Sequence, residues 1–207
     1  IYYLTLSSNQ NDPLALVQLG MIYLLGKDVK CNINKAICYL TNSANQNESF
    51  AQYVLGYLYI NGEYVSKDIK KGIYYLTYSA KNGNHFAQDC LGKFYLSDSP
   101  LFDIDKAISF LVLSANQYFI PSILYLGYIY YSSKYVPKDI IKSIHYFKKA
   151  SSFNNNYAKN NLGIIYKNGE GVKKNIWQAI EYFNEAIHFK NDLFSLYNLS
   201  RMMLIKI

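Results

Sequence analysis

The chain has 207 residues, of which 51% are hydrophobic, 17% aromatic and 17% charged. This length and composition exclude a disordered or collagen-like protein, and they provide enough apolar residues for a sizeable core. The net charge of +7 favours acidic partners or anionic surfaces, but the basic residues form no run, so the charge alone selects no class of partner.

Glycines recur at intervals of 36, 36, 35 and 36 residues, and a leucine precedes each of them. A small residue stands five positions before each glycine, and a tyrosine stands three positions after it. These positions share one side of a helix, so we predict an amphipathic first helix in every repeat. The glycines are Gly20, Gly56, Gly92, Gly127 and Gly163, and the tyrosines are Tyr23, Tyr59, Tyr95, Tyr130 and Tyr166.

A glycine inside a helix costs about 1 kcal/mol relative to alanine. Its recurrence therefore needs a structural reason, and we expect a neighbouring backbone to approach each glycine closely. A period of this length is typical of a solenoid built from helical pairs.

A second helix is predicted after each first helix. It begins at an Asn or Asp whose short side chain can accept a hydrogen bond from a free backbone N–H group. A tyrosine or phenylalanine follows seven residues later on the same face as a small residue. The predicted N-caps are Asn32, Asp68, Asp103, Asp139 and Asn175, and the aromatic residues are Tyr39, Tyr75, Phe110, Tyr146 and Tyr182.

The loops between first and second helices carry glycine and valine, as in the segments 62–65 and 169–172. The third loop, 97–102, is one residue shorter and contains Pro100, so we expect it to follow a different path. The fourth loop keeps Val136 but has no glycine. The longest uncharged stretch, 107–133, contains Asn116, Gln117 and Pro121, and we predict two buried helices there in place of a membrane span.

The recurring pattern AxxxLGxxYxxG, followed by V and DxxKAxxY, resembles the Sel-one-like repeat of the tetratricopeptide superfamily. The resemblance implies an all-α fold, an α/α superhelix of antiparallel helical pairs with about 36 residues per repeat. It implies a half-repeat at 1–13, repeats at 14–49, 50–85, 86–120, 121–156 and 157–192, and a half-repeat at 193–207. We expect a segment of a longer protein, with further repeats or partner subunits at both ends. A pentatricopeptide array fits the Leu-Gly pair and the N-caps poorly.

Residues with catalytic or metal-binding potential are scattered. His85, His145 and His188 are separated by whole repeats, and Cys31, Cys38 and Cys90 are too few and too irregularly spaced for a disulfide framework or a four-cysteine zinc site. The segment 169–174 lacks the spacing of a phosphate-binding loop. We therefore expect no enzyme activity, no cofactor and no metal.

A candidate binding surface runs along the first helices. It consists of the residues three positions before the glycine (minus three), one position after it (plus one) and four positions after it (plus four). These offsets point about 140° away from the core face, so we predict a concave groove lined by them. The alternative is that the plus-one and plus-four residues partly pack against the next first helix. The predicted groove residues are Tyr53, Tyr57, Lys93, Leu124, Tyr128, Tyr131, Lys167, Tyr197 and Arg201.

The sequence thus predicts a non-catalytic scaffold or adaptor that binds a peptide or partner helix in this groove, with the basic residues selecting acidic side chains. The family resemblance implies the same role in protein complexes. The alternative is an RNA-binding basic superhelix, although nucleic acid is the less favoured partner. We favour a cytoplasmic location, and the possible glycosylation acceptor Asn47 makes the lumen of the endoplasmic reticulum the alternative.

Overall fold

The computed structural model describes residues 1–26, 28–187, 196 and 198. These residues form eleven α-helices and no strand, which confirms the predicted all-α fold of helical pairs. Of the predicted half-repeat 193–207, only residues 196 and 198 are described, and both are helical. The helices are α1 (Tyr2–Asn9), α2 (Pro13–Leu25), α3 (Ile33–Ala44), α4 (Ser49–Asn61), α5 (Ile69–Lys81), α6 (His85–Tyr95), α7 (Ile104–Asn116), α8 (Ile120–Ser132), α9 (Ile140–Ser151), α10 (Asn156–Asn168) and α11 (Ile176–Ile187).

The helices belong to two compact units, Ile1–Gln117 and Tyr118–Ile207. In the first unit each helix from α1 to α7 contacts the next, and the first helices α4 and α6 also touch. In the second unit α8 contacts α9, α9 contacts α10, and α10 contacts α11. The leucines that precede the glycines are almost completely buried in both units, so the repeat pattern defines the core.

The predicted N-caps of the second helices are all confirmed. In each case the side-chain oxygen of the cap accepts a hydrogen bond from the backbone N–H three residues later, over 2.9–3.1 Å. The cap's own N–H donates to the carbonyl of the tyrosine that follows the glycine, which fixes the loop at both ends. The hydrogen bonds from Lys106 and Lys142 hold the pKa values of the Asp103 and Asp139 carboxyl groups below the ordinary value.

At each glycine of the first helices, the atoms that an added Cβ would meet first belong to the second helix of the same repeat. A Cβ atom on Gly56 would lie 2.9 Å from the backbone nitrogen of Leu76 and 3.0 Å from the carbonyl oxygen of Gly72. The predicted backbone approach is therefore confirmed here, although an atom of the Leu76 side chain is nearer still. At Gly127 and Gly163 the nearest atoms belong to phenylalanine rings, so the neighbour there is a side chain.

The tyrosines that follow the glycines stack on the aromatic rings of the second helices. The ring centroids lie 5.7–6.2 Å apart, and the ring planes are within 16° of parallel in all five repeats. In four repeats a lysine ammonium also lies over the tyrosine ring, 4.3–5.6 Å from its centroid. The stacked pairs are Tyr23–Tyr39, Tyr59–Tyr75, Tyr95–Phe110, Tyr130–Tyr146 and Tyr166–Tyr182.

The third loop follows a different path, as its sequence predicts. The helices α2, α4 and α10 end at glycines in the left-handed conformation, and Ser133 adopts this conformation with φ 52° after α8. In contrast, α6 is only 11 residues long, and Leu96 after it is right-handed. The uncharged stretch 107–133 forms parts of α7 and α8, and no helix among the described residues is long and apolar enough to cross a membrane.

Candidate functional site

The accessible surface of the first helices is narrower than the groove that the sequence predicts. At the minus-three position Val17, Asp89 and Asn160 are buried, and at the plus-four position Leu24 and Leu96 are buried. These five side chains are therefore not accessible to a ligand in the groove. The prediction considered one helix alone, whereas Val17 and Leu24 belong to a core cluster that also contains Val54 and Leu58 of α4.

The plus-one position remains the most accessible of the three. Tyr57 is 40% exposed and Tyr128 is 39% exposed, and Lys93 is exposed as well. These three residues are thus more accessible than Leu24 and Leu96 at the plus-four position, which are buried. A ligand on the first helices would therefore meet mainly the plus-one side chains.

An aromatic cluster in the first unit surrounds Tyr53. Its ring lies 6.2 Å from that of Tyr57, 5.7 Å from that of Phe50, and 5.5 Å from that of Phe86, on which it stacks at 28°. Tyr53 is half-buried, whereas Tyr57 and Phe86 keep more than a third of their surface exposed. The cluster thus joins α4 to α6 and presents two accessible ring surfaces.

Phe86 is missing from the predicted groove residues. Phe50 and Phe86 stand one repeat apart, six positions before Gly56 and Gly92 respectively. This aromatic recurrence is a signal that could have identified both residues. His85, which the sequence analysis placed among scattered histidines, begins α6, and its ring lies 4.2 Å from that of Phe86.

The polar groups beside the cluster are already paired. The Lys93 ammonium lies 2.7 Å from the Asp89 carboxylate on the same helix, so Asp89 offsets much of its charge. Burial raises the pKa of the Tyr53 hydroxyl to about 12, and nearby Cys90 and Asp89 act in the same direction. The Tyr53 hydroxyl therefore stays protonated to a higher pH than an ordinary tyrosine.

The three cysteines should react at different rates with Ellman's reagent at pH 8. Cys31 and Cys38 are exposed, whereas burial next to the Asp89 carboxylate raises the pKa of the Cys90 thiol to about 11. Because the thiolate is the nucleophile, only about one Cys90 in 1,000 is reactive at that pH. We expect two thiols to be modified rapidly and the third slowly, and all three rapidly after urea unfolding. A single rate for three thiols in the native protein would contradict the burial of Cys90.

In the second unit, Leu124, Tyr128 and Tyr131 lie on one face of α8. Tyr128 stacks on Tyr125, with ring centroids 6.4 Å apart and planes 19° from parallel. Tyr131 has a different environment, because its hydroxyl lies 3.3 Å from the Glu170 carboxylate of the next repeat. Burial and this carboxylate raise the pKa of Tyr131. Tyr131 is thus partly occupied by a contact between repeats.

Glu170 organises that contact. Its carboxylate accepts a hydrogen bond from Lys138 over 2.6 Å, and this bond is the main reason that the pKa of Glu170 lies below its ordinary value. The Lys138 ammonium also lies 4.7 Å from the centroid of the Tyr131 ring. Segment 169–174 is therefore a repeat loop held by an ion pair.

The remaining predicted groove residues divide into one that is described and two that are not. Lys167 is half-buried near the end of α10. Tyr197 and Arg201 lie outside the described residues, as does His188. Within the described residues, no group of three or more His, Cys, Asp or Glu side chains could hold a metal ion.

A family model described as the Sel1 repeat matches residues 13–48, 49–84, 120–152 and 156–188, which together make up well over half of the chain. The unmatched segment between the second and third matches contains α6 and α7, whose connecting loop is the shortened one. Proteins of this family generally act as scaffolds for protein–protein interaction. No curated protein matches the sequence.

Solved structures of bacterial proteins resemble this chain over 89–100% of its length. A protective antigen of uropathogenic Escherichia coli strains, which displays an SLR fold, is 25% identical with a TM-score of 0.90, and the match covers 100% of this chain and 44% of the antigen. A Sel1 repeat protein of Oxalobacter formigenes is 27% identical with a TM-score of 0.77, over 89% of this chain and 76% of that protein. A sel1 repeat protein of Klebsiella pneumoniae shares the fold at 21% identity and a TM-score of 0.58, over 95% and 96% of the two chains. This chain therefore spans less than half the length of the Escherichia coli antigen.

Proposed function

Because the chain belongs to the Sel1 repeat family, we propose that it is a non-catalytic adaptor that binds a peptide or a partner helix on the accessible face of its first helices. A non-catalytic role is typical of the Sel1 repeat fold. The proposed contact residues are Tyr53, Tyr57, Phe86 and Lys93 in the first unit, and Leu124, Tyr128, Tyr131 and Lys167 in the second.

The aromatic cluster around Tyr53 is the observation that carries this proposal. Tyrosine and phenylalanine bury a large area at a low cost in side-chain entropy, and they are frequent anchors of protein interfaces. Tyr57 and Phe86 are 40% and 36% exposed, yet both are held in place by the half-buried Tyr53 ring. Their accessible surfaces are therefore preorganised, which lowers the entropy lost on binding.

Tyr128 offers a similar anchor in the second unit, where its ring is supported by Tyr125. Leu124 lies one turn earlier on α8 and adds an apolar contact on the same face. An apolar side chain of a partner could pack between these residues, while the tyrosine hydroxyl groups could bond to its backbone.

Charge supplies the proposed preference for acidic partners. The chain carries a net charge of +7, and Lys93 and Lys167 lie on the two first helices α6 and α10. Since Lys93 is paired with Asp89 in the free protein, it would contribute by exchanging one carboxylate for another. We therefore assign affinity mainly to the rings and selectivity to the lysines.

A selection from a random dodecapeptide display library tests the proposal. The tightest peptide is measured by fluorescence anisotropy against the parent chain and against the double variant Tyr57→Ala/Tyr128→Ala. We expect the variant to bind at least about tenfold more weakly whichever unit the peptide occupies, since truncation of an anchoring aromatic residue costs about 2 kcal/mol. The matched control is Tyr74→Ala/Trp177→Ala, which removes one exposed ring per unit from the second helices α5 and α11.

Unchanged affinity in the first double variant, or an equal loss in the control, would contradict the proposed surface. Salt provides an independent check, because a ring-anchored peptide should weaken little between about 50 and 200 mM salt, whereas a phosphate-bound nucleic acid weakens steeply. Tight binding of single-stranded RNA with such a steep salt dependence would contradict the peptide-binding role.

A further inference from the structure

A second groove lies between α3 and the loop that follows α4, and none of the proposed contact residues lines it. Its volume is about 1060 Å³, and both of its walls belong to the first unit. One wall is apolar and consists of Ile33 and Ile37, one turn apart on α3. The opposite wall consists of Tyr64 and Val65, with Lys67 and Lys70 at its edge. We call it the lateral groove.

The second unit contains the corresponding elements, α9 and the loop that follows α10, and there the loop contacts α9 directly. There Gly171 occupies the position of Tyr64, since both stand two residues after the glycine that ends the first helix, and both have φ 63°. A Cβ atom on Gly171 would lie 2.7 Å from the Cβ atom of Ile140, the first residue of α9. The loop thus rests directly on α9, and only glycine permits this approach.

Tyr64 makes the same closure impossible in the first unit. Ile33 begins α3 as Ile140 begins α9, and the Cβ atom of Tyr64 would collide with it at the spacing seen in the second unit. The loop must therefore stand away from α3, which leaves the groove open. Tyr64 is 62% exposed in a left-handed conformation that few bulky residues adopt, so most of its surface remains available to a ligand.

The lysine of the ion pair that holds the loop in the second unit has no counterpart at the start of α3. Lys138 immediately precedes the N-cap Asp139 and holds Glu170 of the loop. In the first unit the residue before the N-cap Asn32 is Cys31, which has no ammonium group to offer the loop. The two residues that hold the loop against α9 in the second unit, Gly171 and Lys138, are therefore replaced by Tyr64 and Cys31 at the lateral groove.

The charges of the lateral groove identify its occupant. The ammonium groups of Lys67 and Lys70 border it, and both residues are exposed. Asp68, the one carboxylate among the residues that line it, accepts a hydrogen bond from the Lys71 backbone N–H. The lining also includes the N-terminal turn of α5, where the helix dipole favours a negative charge. The groove therefore combines an apolar wall with a positive edge.

We propose that the lateral groove is a second docking site, which binds an extended acidic peptide. An apolar side chain of the peptide packs between Ile33, Ile37 and Tyr64, and a neighbouring carboxylate lies between the ammonium groups of Lys67 and Lys70. The site is independent of the face of the first helices, so either proposal can fail without the other.

The test uses a fluorescein-labelled dodecapeptide of four Pro-Leu-Glu units, which stays extended and carries both required side-chain types. We expect saturable binding to the parent chain with a Kd on the order of 100 µM or lower. Amide chemical-shift changes at Ile37 and Val65 should locate the peptide. The double variant Lys67→Glu/Lys70→Glu should weaken binding at least about tenfold, and Tyr64→Gly should weaken it by letting the loop approach α3.

Three controls define the result. The charge-matched variant Lys148→Glu/Lys173→Glu alters two exposed lysines of the second unit and should bind as the parent does. The variant Tyr57→Ala should also bind as the parent does, which separates this site from the proposed adaptor surface. A peptide of four Pro-Leu-Lys units should not bind. No saturable binding, equal binding of the lysine peptide, or unchanged affinity in Lys67→Glu/Lys70→Glu would overturn the proposal.

Discussion

Replacement of Gly56 by valine is expected to lower the free energy of unfolding by about 3 kcal/mol, at the upper end of the usual cost of overpacking. A Cβ atom at this position would lie 2.9 Å and 3.0 Å from backbone atoms of α5, which cannot move without separating the two helices. The approach is mutual, since a Cβ atom on Gly72 would lie 3.0 Å from the Gly56 carbonyl oxygen. A urea titration followed by helical circular dichroism measures the loss.

Gly83→Asn is the matched control for Gly56→Val. Gly83 has φ 83°, and a Cβ atom there would meet nothing within 4 Å. Asparagine tolerates this conformation, and Asn11, Asn47 and Asn154 adopt it in other turns of the chain. We therefore expect a change within about 0.5 kcal/mol. If Gly56→Val and Gly83→Asn unfolded at the same urea concentration as the parent chain, the close helix contact at Gly56 would be incorrect.

The glycines and the N-caps were predictable because each follows from local chemistry that recurs. A residue such as Asp68 can cap a helix with its own side chain, and the Lys71 N–H that it binds is fixed by helix geometry. Gly56 likewise reports a steric demand that only glycine meets. The glycine and the N-cap recur in five repeats, and this recurrence distinguishes them from residues that are frequent only because of the overall composition.

The accessible face was harder to predict because accessibility depends on neighbouring helices. A helical projection assigns Asp89 and Lys93 to one stripe, but Asp89 is buried and Lys93 is exposed. One turn of α6 thus separates a residue covered by packing from one that remains open to solvent. The sequence specifies the direction of each side chain relative to its own helix, whereas burial is decided by the crossing of two helices.

The lateral groove was not predictable from the repeat pattern, because it results from a departure from that pattern. The residues Gly62 and Val65 fit the loop motif, and Tyr64 between them looks like a tolerated surface residue. Its effect becomes visible only when the contact of Gly171 with Ile140 in the second unit shows what the loop does without a side chain there. Variation among repeats therefore carries information that their consensus does not.

The stacked rings were only partly predictable. The sequence places Tyr59 and Tyr75 on the facing sides of α4 and α5, but it does not indicate that their planes lie 9° from parallel. Lys71 completes the arrangement, with its ammonium 2.8 Å from the Tyr59 hydroxyl and 4.3 Å from the ring centroid. The hydrogen bond with Tyr59 is the main reason that the pKa of Lys71 is raised.

Tyr59→Ala is expected to lower the free energy of unfolding by about 2–3 kcal/mol, and Tyr59→Phe by less than about 1 kcal/mol. The alanine variant removes a half-buried ring that packs on the core and on Tyr75, whereas the phenylalanine variant removes only the hydroxyl that Lys71 contacts. Lys71 is almost fully exposed, so solvent screens its interaction with the hydroxyl.

The same urea titration distinguishes the contributions of the ring and the hydroxyl. Tyr3→Ala is the control, because Tyr3 is 82% exposed on α1 and should change stability by less than about 0.5 kcal/mol. If Tyr59→Phe cost as much as Tyr59→Ala, the polar contact with Lys71 would be the dominant interaction. If neither variant cost more than Tyr3→Ala, the stacked rings would not contribute to the stability of the repeat. We expect neither outcome, because the ring pair recurs in all five repeats, whereas the lysine is replaced by Gln178 in the last.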